Sequence, residues 1–121
     1  DALGVQAKRI FTTAESTSPD TDYIMDNNRC DILAKPLSDG SVALCFINLN
    51  DKTWNESIGV SAKDIVKMIG KKMVNEEPFA KAGSYAVTDL WTGKTSQNTT
   101  GIFEVSGLEE YGNVTIRIKP L

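Results

Sequence analysis

A chain of 121 residues with 40% hydrophobic and 24% charged residues has the composition of one ordinary globular domain, which excludes collagen-like and wholly disordered chains. Its formal net charge of -3 provides no basic surface for a phosphate backbone, so nucleic acid is not an expected partner. The chain contains no histidine, which excludes Ser-His-Asp and Cys-His catalysis and every zinc site built on imidazole.

The first residues carry no targeting or membrane signal. No apolar run approaches the roughly 18 residues of a membrane-spanning helix, so a membrane is not an expected partner either. Residues 1–4 contain neither an initiator Met nor the basic and apolar regions of a signal peptide. We therefore expect a piece of a longer protein, in a compartment, cytoplasmic or secreted, that the sequence leaves open.

The first third of the chain predicts three strands. Residues 5–12 carry β-branched and aromatic residues and are followed by Thr, Ser, Pro and Asp, which indicates a short strand and then a loop. Residues 30–37 and 41–50 are two further strand-like runs. The Asp-Gly between them supplies the positive φ angles that a two-residue hairpin turn requires, so these two strands are predicted to pair.

A two-residue turn sets the register of this hairpin. If Ser38 faces Ser41, Ala34 lies opposite Cys45. One face of the hairpin then carries only uncharged residues, namely Cys30, Ile32, Ala34 and Pro36 with Leu49, Ile47, Cys45 and Ala43. We expect that face to pack in the core, since side chains of a strand alternate between its two faces.

The same register predicts that the two cysteines, Cys30 and Cys45, remain reduced. Cys45 would lie beside Ala34, roughly 13 Å from Cys30 at about 3.3 Å per residue. A disulfide cannot span that distance.

The middle of the chain predicts a strand at residues 56–60 and then a change of period. Ser61 and Asp64 form a capping-box pattern, and apolar residues follow at helical spacing as Ala62, Ile65, Val66, Ile69 and Met73. One or two amphipathic helical turns should begin here, and Gly70 limits their length. The Pro and Gly within residues 74–84 predict a loop.

The last third predicts strands at residues 85–91, 102–105 and 114–118, with a turn at 92–94. Strands at short, regular spacing favour an antiparallel architecture over βαβ units. The predicted fold is therefore all-β, an antiparallel β sandwich or Greek-key domain with one short helical insertion, as a single domain over residues 1–121.

Paired carboxylates can serve as general acid and as nucleophile or base in glycoside hydrolysis. Glu76 with Glu77 and Glu109 with Glu110 are adjacent in sequence, yet both pairs fall in predicted loops and are interpreted as solvated charge. No catalytic residue is assigned to them.

A calcium loop is also not predicted. Asp20, Asp22 and Asp26 have part of the spacing of such a loop, but Met25 stands where the turn needs Gly, and Asp31 stands where a bidentate Glu is usual. We expect no metal and no cofactor.

The aromatic residues Tyr23, Trp54, Tyr85, Trp91 and Tyr111 leave two interpretations open. An exposed ring offers a flat apolar face on which a sugar can stack. The alternative is that Trp91 lies in the core and Trp54 packs at a hairpin end, because large aromatic residues are mostly buried.

Three segments, in this order, resemble the C-terminal region of the α-galactosidases of glycoside hydrolase family 27. Residues 1–10 resemble the family's Asp-Pro-Leu-Gly-x-Gln-Gly-x-x-Ile segment, with Ala2 in place of Pro and Ala7 in place of Gly. Residues 34–50 resemble the family hairpin, and residues 89–94, Asp-Leu-Trp-Thr-Gly-Lys, resemble its Asp-Leu-Trp-[ST]-Gly-Lys strand and turn.

The resemblance implies a β domain that follows a catalytic (β/α)8 barrel, with an insertion between Val60 and Ser84 where the family has a shorter connection. It brings no catalytic residue, because the family's nucleophile lies in a barrel Lys-x-Asp motif and this chain has no such triplet. The parent would be a retaining exo-glycosidase that removes terminal α-linked galactose or a related sugar, and this chain its stabilising accessory domain. Leu3, Trp54 and Trp91 are candidate contacts to the barrel or to sugar.

Two other functions compete with that interpretation. A carbohydrate-binding module would hold galactose-containing polysaccharide near the barrel, and clustered exposed aromatic residues would favour it. A stand-alone adhesion-like sandwich is disfavoured by the barrel-exit segment at residues 1–10.

Overall fold

Antiparallel strands dominate the computed structural model, which describes residues 7–12 and 30–121. The strands are β1 (Lys8–Thr12), β2 (Cys30–Pro36), β3 (Val42–Asn48), β4 (Ile58–Ser61), β5 (Tyr85–Asp89), β6 (Thr95–Asn98), β7 (Ile102–Val105) and β8 (Asn113–Pro120). The helices are α1 (Ala62–Ile69) and α2 (Glu76–Lys81), with a 3-10 turn at Gly70–Lys72 between them. Predictions made for Leu3, Tyr23, Asp20, Asp22, Asp26 and the segment 1–6 lie outside the described residues.

The strands form two sheets. The larger has the order β1-β2-β3-β8-β5-β6, the smaller pairs β4 with β7, and every pair is antiparallel. The ring of Tyr85 on the large sheet meets that of Phe103 on the small sheet at a centroid distance of 5.2 Å, nearly perpendicular. The apolar core therefore lies between the two sheets, with α1 beside β4, and the predicted all-β antiparallel sandwich is confirmed.

The predicted hairpin pairing is confirmed, but its register is wrong by one residue. Leu33, not Ala34, lies opposite Cys45. The inward face of β3 is consequently Val42, Leu44, Phe46 and Asn48, all 0% exposed, while Ala43, Cys45 and Ile47 face outward. The inward face of β2 is the predicted one, Cys30, Ile32, Ala34 and Pro36.

The register differs because β2 and β3 are joined by a three-residue turn and not by the predicted two-residue turn. The backbone N–H of Leu37 donates to the carbonyl of Ser41 at 2.9 Å, and that of Gly40 donates to Leu37 at 3.1 Å. Gly40 has φ +87°, the left-handed position that closes such a loop with a bulge. Both candidate faces of β3 are uncharged, so alternation alone did not distinguish the registers.

The helical region departs from the prediction in its second half. The capping box is confirmed, since Ser61 Oγ accepts from the N–H of Asp64 at 3.1 Å. Residues 76–81, predicted as loop, form α2, because Pro78 sits in the first helical turn, where a backbone N–H has no intrahelical partner to lose. Packing holds this short helix, since Phe79 is fully buried and its carbonyl accepts from Tyr85 Oη.

The remaining strand predictions are confirmed within a few residues, and one strand was missed. β6 is polar and mostly exposed, so it lacks the alternation that signals a half-buried strand. It forms the sheet edge beside β5, where a polar sequence suits an open row of backbone groups.

Replacing the helix cap should weaken the fold measurably. We expect Ser61→Ala to lower the free energy of unfolding by about 1 kcal/mol, because an N-terminal N–H of α1 loses its acceptor. Urea denaturation measures the change. The exposed Ser57, outside the helix, provides the control, and an equal loss from Ser57→Ala would contradict the capping argument.

Candidate functional site

A buried amide lies where β3 ends and organises one end of the sandwich. Asn48 is 0% exposed, and its Nδ2 donates to the carbonyls of Lys52 at 2.9 Å, Leu108 at 3.1 Å and Glu109 at 2.9 Å. Its Oδ1 accepts from the backbone N–H of Asn50 at 2.8 Å. One side chain therefore joins the chain after β3 to the chain before β8.

Cys30 and Asn50 extend this network. Asn50 Nδ2 donates to Asn48 Oδ1 at 2.7 Å, and the thiol of Cys30 lies 3.6 Å from the same oxygen. Burial raises the pKa of the Cys30 thiol, with the Asp31 carboxylate adding to the rise and the Asn50 amide opposing it. The prediction of two reduced cysteines is confirmed, and Cys30 and Cys45 lie on opposite faces of the sheet.

Trp54 and Tyr111 lie on the two segments that this network holds. The N–H of Trp54 donates to the carbonyl of Leu108 at 2.8 Å, and that of Tyr111 donates to Asn50 at 3.1 Å. Trp54 is half-buried against the core, with its indole nitrogen buried and without a hydrogen-bond partner among the described residues. The predicted packing of Trp54 at the hairpin end is therefore confirmed.

Trp91 is not in the core, so the prediction that it is buried there is wrong. Its side chain is 70% exposed, because β5 ends at Asp89 and the chain turns there. Asp89 Oδ1 accepts from the N–H groups of Trp91 at 2.8 Å and Thr92 at 3.2 Å, and Gly93 takes φ +75°. The Asp-Leu-Trp-Thr-Gly-Lys segment thus builds an ordered turn with its aromatic ring outside.

The other aromatic candidates divide between core and surface. Tyr85 is 2% exposed and belongs to the core, whereas Tyr111 is 59% exposed. Tyr111 also has φ +51°, a left-handed conformation that is uncommon for a residue with a side chain. Leu90 is 51% exposed beside Trp91, and sequence reasoning did not single it out. Only the alternation of β5 side chains could have indicated that Leu90 points away from the core.

The paired carboxylates lie on the surface of the described structure. Glu76, Glu77, Glu109 and Glu110 are all exposed, as expected of solvated charge. Within residues 7–12 and 30–121 no three acidic, cysteine or histidine side chains are grouped in a way that could hold a metal ion. In the same ranges no helix is long and apolar enough to cross a membrane.

The family of this chain follows from a sequence comparison with family models. Residues 27–118 match the α-galactosidase C-terminal β-sandwich domain. The chain belongs to that family of glycoside hydrolase domains, and the resemblance described above is confirmed. A search of curated protein sequences returned no significant match.

Solved structures share the fold. The α-galactosidase of Saccharomyces cerevisiae aligns over 98% of this chain with TM-score 0.61 and 12% identity, and α-galactosidase I of Mortierella vinacea over 93% with TM-score 0.57 and 15% identity. The family 27 β-L-arabinopyranosidase of Geobacillus stearothermophilus aligns over 95% with TM-score 0.55 and 14% identity. The chain spans 33%, 22% and 19% of those three chains, respectively.

The network predicts a large cost for losing the Asn48 amide. We expect Asn48→Ala to lower the free energy of unfolding by about 3 kcal/mol, because buried carbonyls of the two segments lose their donor. Urea denaturation measures this loss. Asn113→Ala, at an exposed position of β8, should change stability by less than about 0.5 kcal/mol, and comparable losses in both variants would contradict the argument.

The raised pKa of Cys30 predicts a loss of stability in base. Below about pH 8.5, the usual thiol value, folded and unfolded chains both keep the proton and the full contribution is present. At higher pH the unfolded chain ionises first, so stability falls until the pH passes the raised folded value. From about pH 8.5 upward, the free energy of unfolding of the wild type should therefore fall relative to that of Cys30→Ala. A difference that stays constant from neutral to alkaline pH would contradict it.

Proposed function

We propose that this chain is the C-terminal accessory domain of a retaining α-galactosidase-like glycoside hydrolase, in which it packs against a catalytic (β/α)8 barrel and stabilises it. The observation that carries the proposal is the match of residues 27–118 to a domain family defined by its C-terminal place in α-galactosidases. The aligned structures support it, since their chains are three to five times as long as the part they share with this one.

We assign the residues that would hydrolyse the glycosidic bond to the rest of the parent protein. Retaining glycosidases use two carboxyl groups roughly 5 Å apart across the scissile bond. The candidate carboxylates of this chain are exposed at turns and at the start of α2, and none sits in an enclosed site that could hold a sugar ring. The barrel would supply the nucleophile and the acid, as the resemblance to family 27 implies.

Specificity for the sugar would also lie in the rest of the parent protein. Proteins described as an α-galactosidase and as a β-L-arabinopyranosidase both share this fold. A fold common to enzymes for two sugars does not select between them, because specificity lies in the contacts of a site. Terminal α-linked galactose remains our proposed substrate for the parent through the resemblance of three segments.

Carbohydrate binding by the domain itself is the competing function. Trp54, the residue first considered for it, is half-buried and packs against the core. Among the described residues, the exposed rings are those of Trp91 and Tyr111, and each is held by a hydrogen-bonded turn. Stacking with a sugar should be tested first at these two more exposed residues.

An activity and binding assay separates the two functions. The purified 121-residue chain should not hydrolyse an aryl α-galactoside, and galactose or galacto-oligosaccharides should leave its melting temperature unchanged, because a ligand stabilises a fold only by binding it.

Hydrolysis that persists through further purification would contradict the accessory-domain proposal. A concentration-dependent rise in melting temperature that Trp91→Ala abolishes would establish carbohydrate binding in its place. Trp54→Ala is unsuitable for this test, because it removes core packing.

A further inference from the structure

Positive charge is concentrated in one short segment of a chain that is acidic overall. Residues 61–75 carry four lysines and one aspartate, a net charge of +3, which leaves -6 on the rest of a chain whose total is -3. All four lysines are exposed, and we call them the basic strip: Lys63, Lys67, Lys71 and Lys72. The total charge of the chain therefore conceals a local basic surface.

Helix α1 aligns the basic strip. Lys63 and Lys67 are four residues apart, so they lie on one face of the helix, about 6 Å apart along its axis. The other two lysines lie in the 3-10 turn that follows. Asp64, the one acidic residue of the segment, belongs to the capping box, where its carboxylate accepts from the N–H of Ser61 at 3.4 Å. No described acidic side chain forms an ion pair with the strip, so its charges are available to a ligand.

The basic strip begins at an open groove. The groove has a volume of about 440 Å³ and lies between the start of α1, the end of α2 and the turn from β6 to β7. Its walls include Lys63, Thr99, Thr100, Ala80, Ala82 and Gly83. Sites for small ligands have comparable volumes, and Lys63 is the one charged residue among those that line this groove. Hydroxyl groups and small apolar surfaces beside one ammonium group suit a sugar ring next to an anionic group.

Hydrogen bonds fix two walls of the groove to each other. Asn98 Oδ1 accepts from the N–H groups of Thr100 at 3.1 Å and Gly101 at 2.9 Å. The Nδ2 of Asn98 donates to the carbonyl of Ile102 at 2.9 Å. The carbonyl of Gly101 accepts from the N–H of Ala62, at the start of α1, at 2.8 Å. The turn and the helix therefore keep their spacing without a ligand, which lowers the entropic cost of binding one.

The composition of the strip favours an acidic sugar chain over other polyanions. Residues 61–75 contain no arginine to fork onto phosphates and no aromatic residue to stack on bases. Tyr85, the one aromatic residue lining the groove, is only 2% exposed. The apolar side of α1 is buried in the core at Ala62, Ile65 and Ile69, so that side cannot insert into a membrane. A sugar chain with anionic groups needs only the ammonium groups and hydroxyls that this surface offers.

We propose that the groove and the basic strip together bind an acidic oligosaccharide. One sugar ring lies between α1 and the turn from β6 to β7, and carboxylate or sulfate groups along the chain meet Lys63, Lys67 and Lys71. This inference goes beyond the proposed function, because the accessory role requires no such ligand. Recognition through exposed charges should weaken as salt is added.

Isothermal titration calorimetry of the purified chain at low salt tests the site with two acidic probes. Tetragalacturonate carries carboxylates, and a carrageenan-derived tetrasaccharide carries sulfates. We expect binding that weakens several-fold at physiological salt, and the tighter probe identifies the anionic group that the site prefers. Neutral galactotetraose, the matched control, should not bind.

Paired variants locate the site. Lys63→Gln combined with Lys67→Gln keeps the helix propensity and should weaken binding of the acidic probe about tenfold, because two ion pairs are lost. Lys94→Gln combined with Lys119→Gln removes the same charge from exposed positions outside the strip and should change the affinity less than about twofold. Both double variants should keep the melting temperature of the wild type.

The other outcomes overturn the inference in distinct ways. Equal affinities of the two double variants, or galactotetraose binding as tightly as the acidic probes, would overturn the proposed site. Tighter binding of oligothymidylate or of phosphatidylserine vesicles at the same salt would assign the strip to nucleic acid or to a membrane. Absence of binding by either acidic probe would overturn the inference and leave the accessory role standing.

Discussion

The buried side-chain amide of Asn48 holds together the end of the sandwich where β3 finishes. Asn48 occupies an inward position at the end of a central strand, where an apolar residue would leave the carbonyls of Lys52, Leu108 and Glu109 without their donor. Two amide hydrogens serve these three acceptors, while the amide oxygen accepts from Asn50. The segments that carry Trp54 and Tyr111 consequently hold their places through hydrogen bonds to the sheet as well as through contact with the core.

The turn between β2 and β3 exerts a second constraint, on which face of β3 becomes core. A three-residue loop closed by Gly40 directs Val42, Leu44 and Phe46 inward. The same shift turns Cys45 and Ile47 outward, where both are half-buried. One left-handed glycine thus affects which side chains of β3 pack in the core and which lie on the outer face, because moving the register by one residue exchanges the two faces of a strand.

The proposed division of labour within the parent agrees with where the described chemical groups lie. The carboxylates of Glu76, Glu77, Glu109 and Glu110 are exposed, and among the described residues the most exposed aromatic ring, that of Trp91, stands on a turn that Asp89 orders. In our proposal the domain contributes a surface, whereas the reacting groups come from the rest of the protein. Proteins described as an α-galactosidase and as a β-L-arabinopyranosidase share its fold.

The sequence by itself determined the fold class, the pairing of β2 with β3 and the Ser61 capping box, because alternation, turn residues and caps are local signals. It indicated the family through the resemblance of three segments. It did not determine the register, since two uncharged faces of β3 were equally acceptable to the alternation pattern. The structure also placed Trp91 outside the core, made a helix of residues 76–81 around buried Phe79, and added the polar edge strand β6. Tertiary structure decided these features, because each depends on a turn geometry or on packing that the local pattern does not encode. Phe79 is buried against Tyr85, and β6 pairs with β5. The Asn48 amide likewise meets two of its three acceptors about 60 residues away.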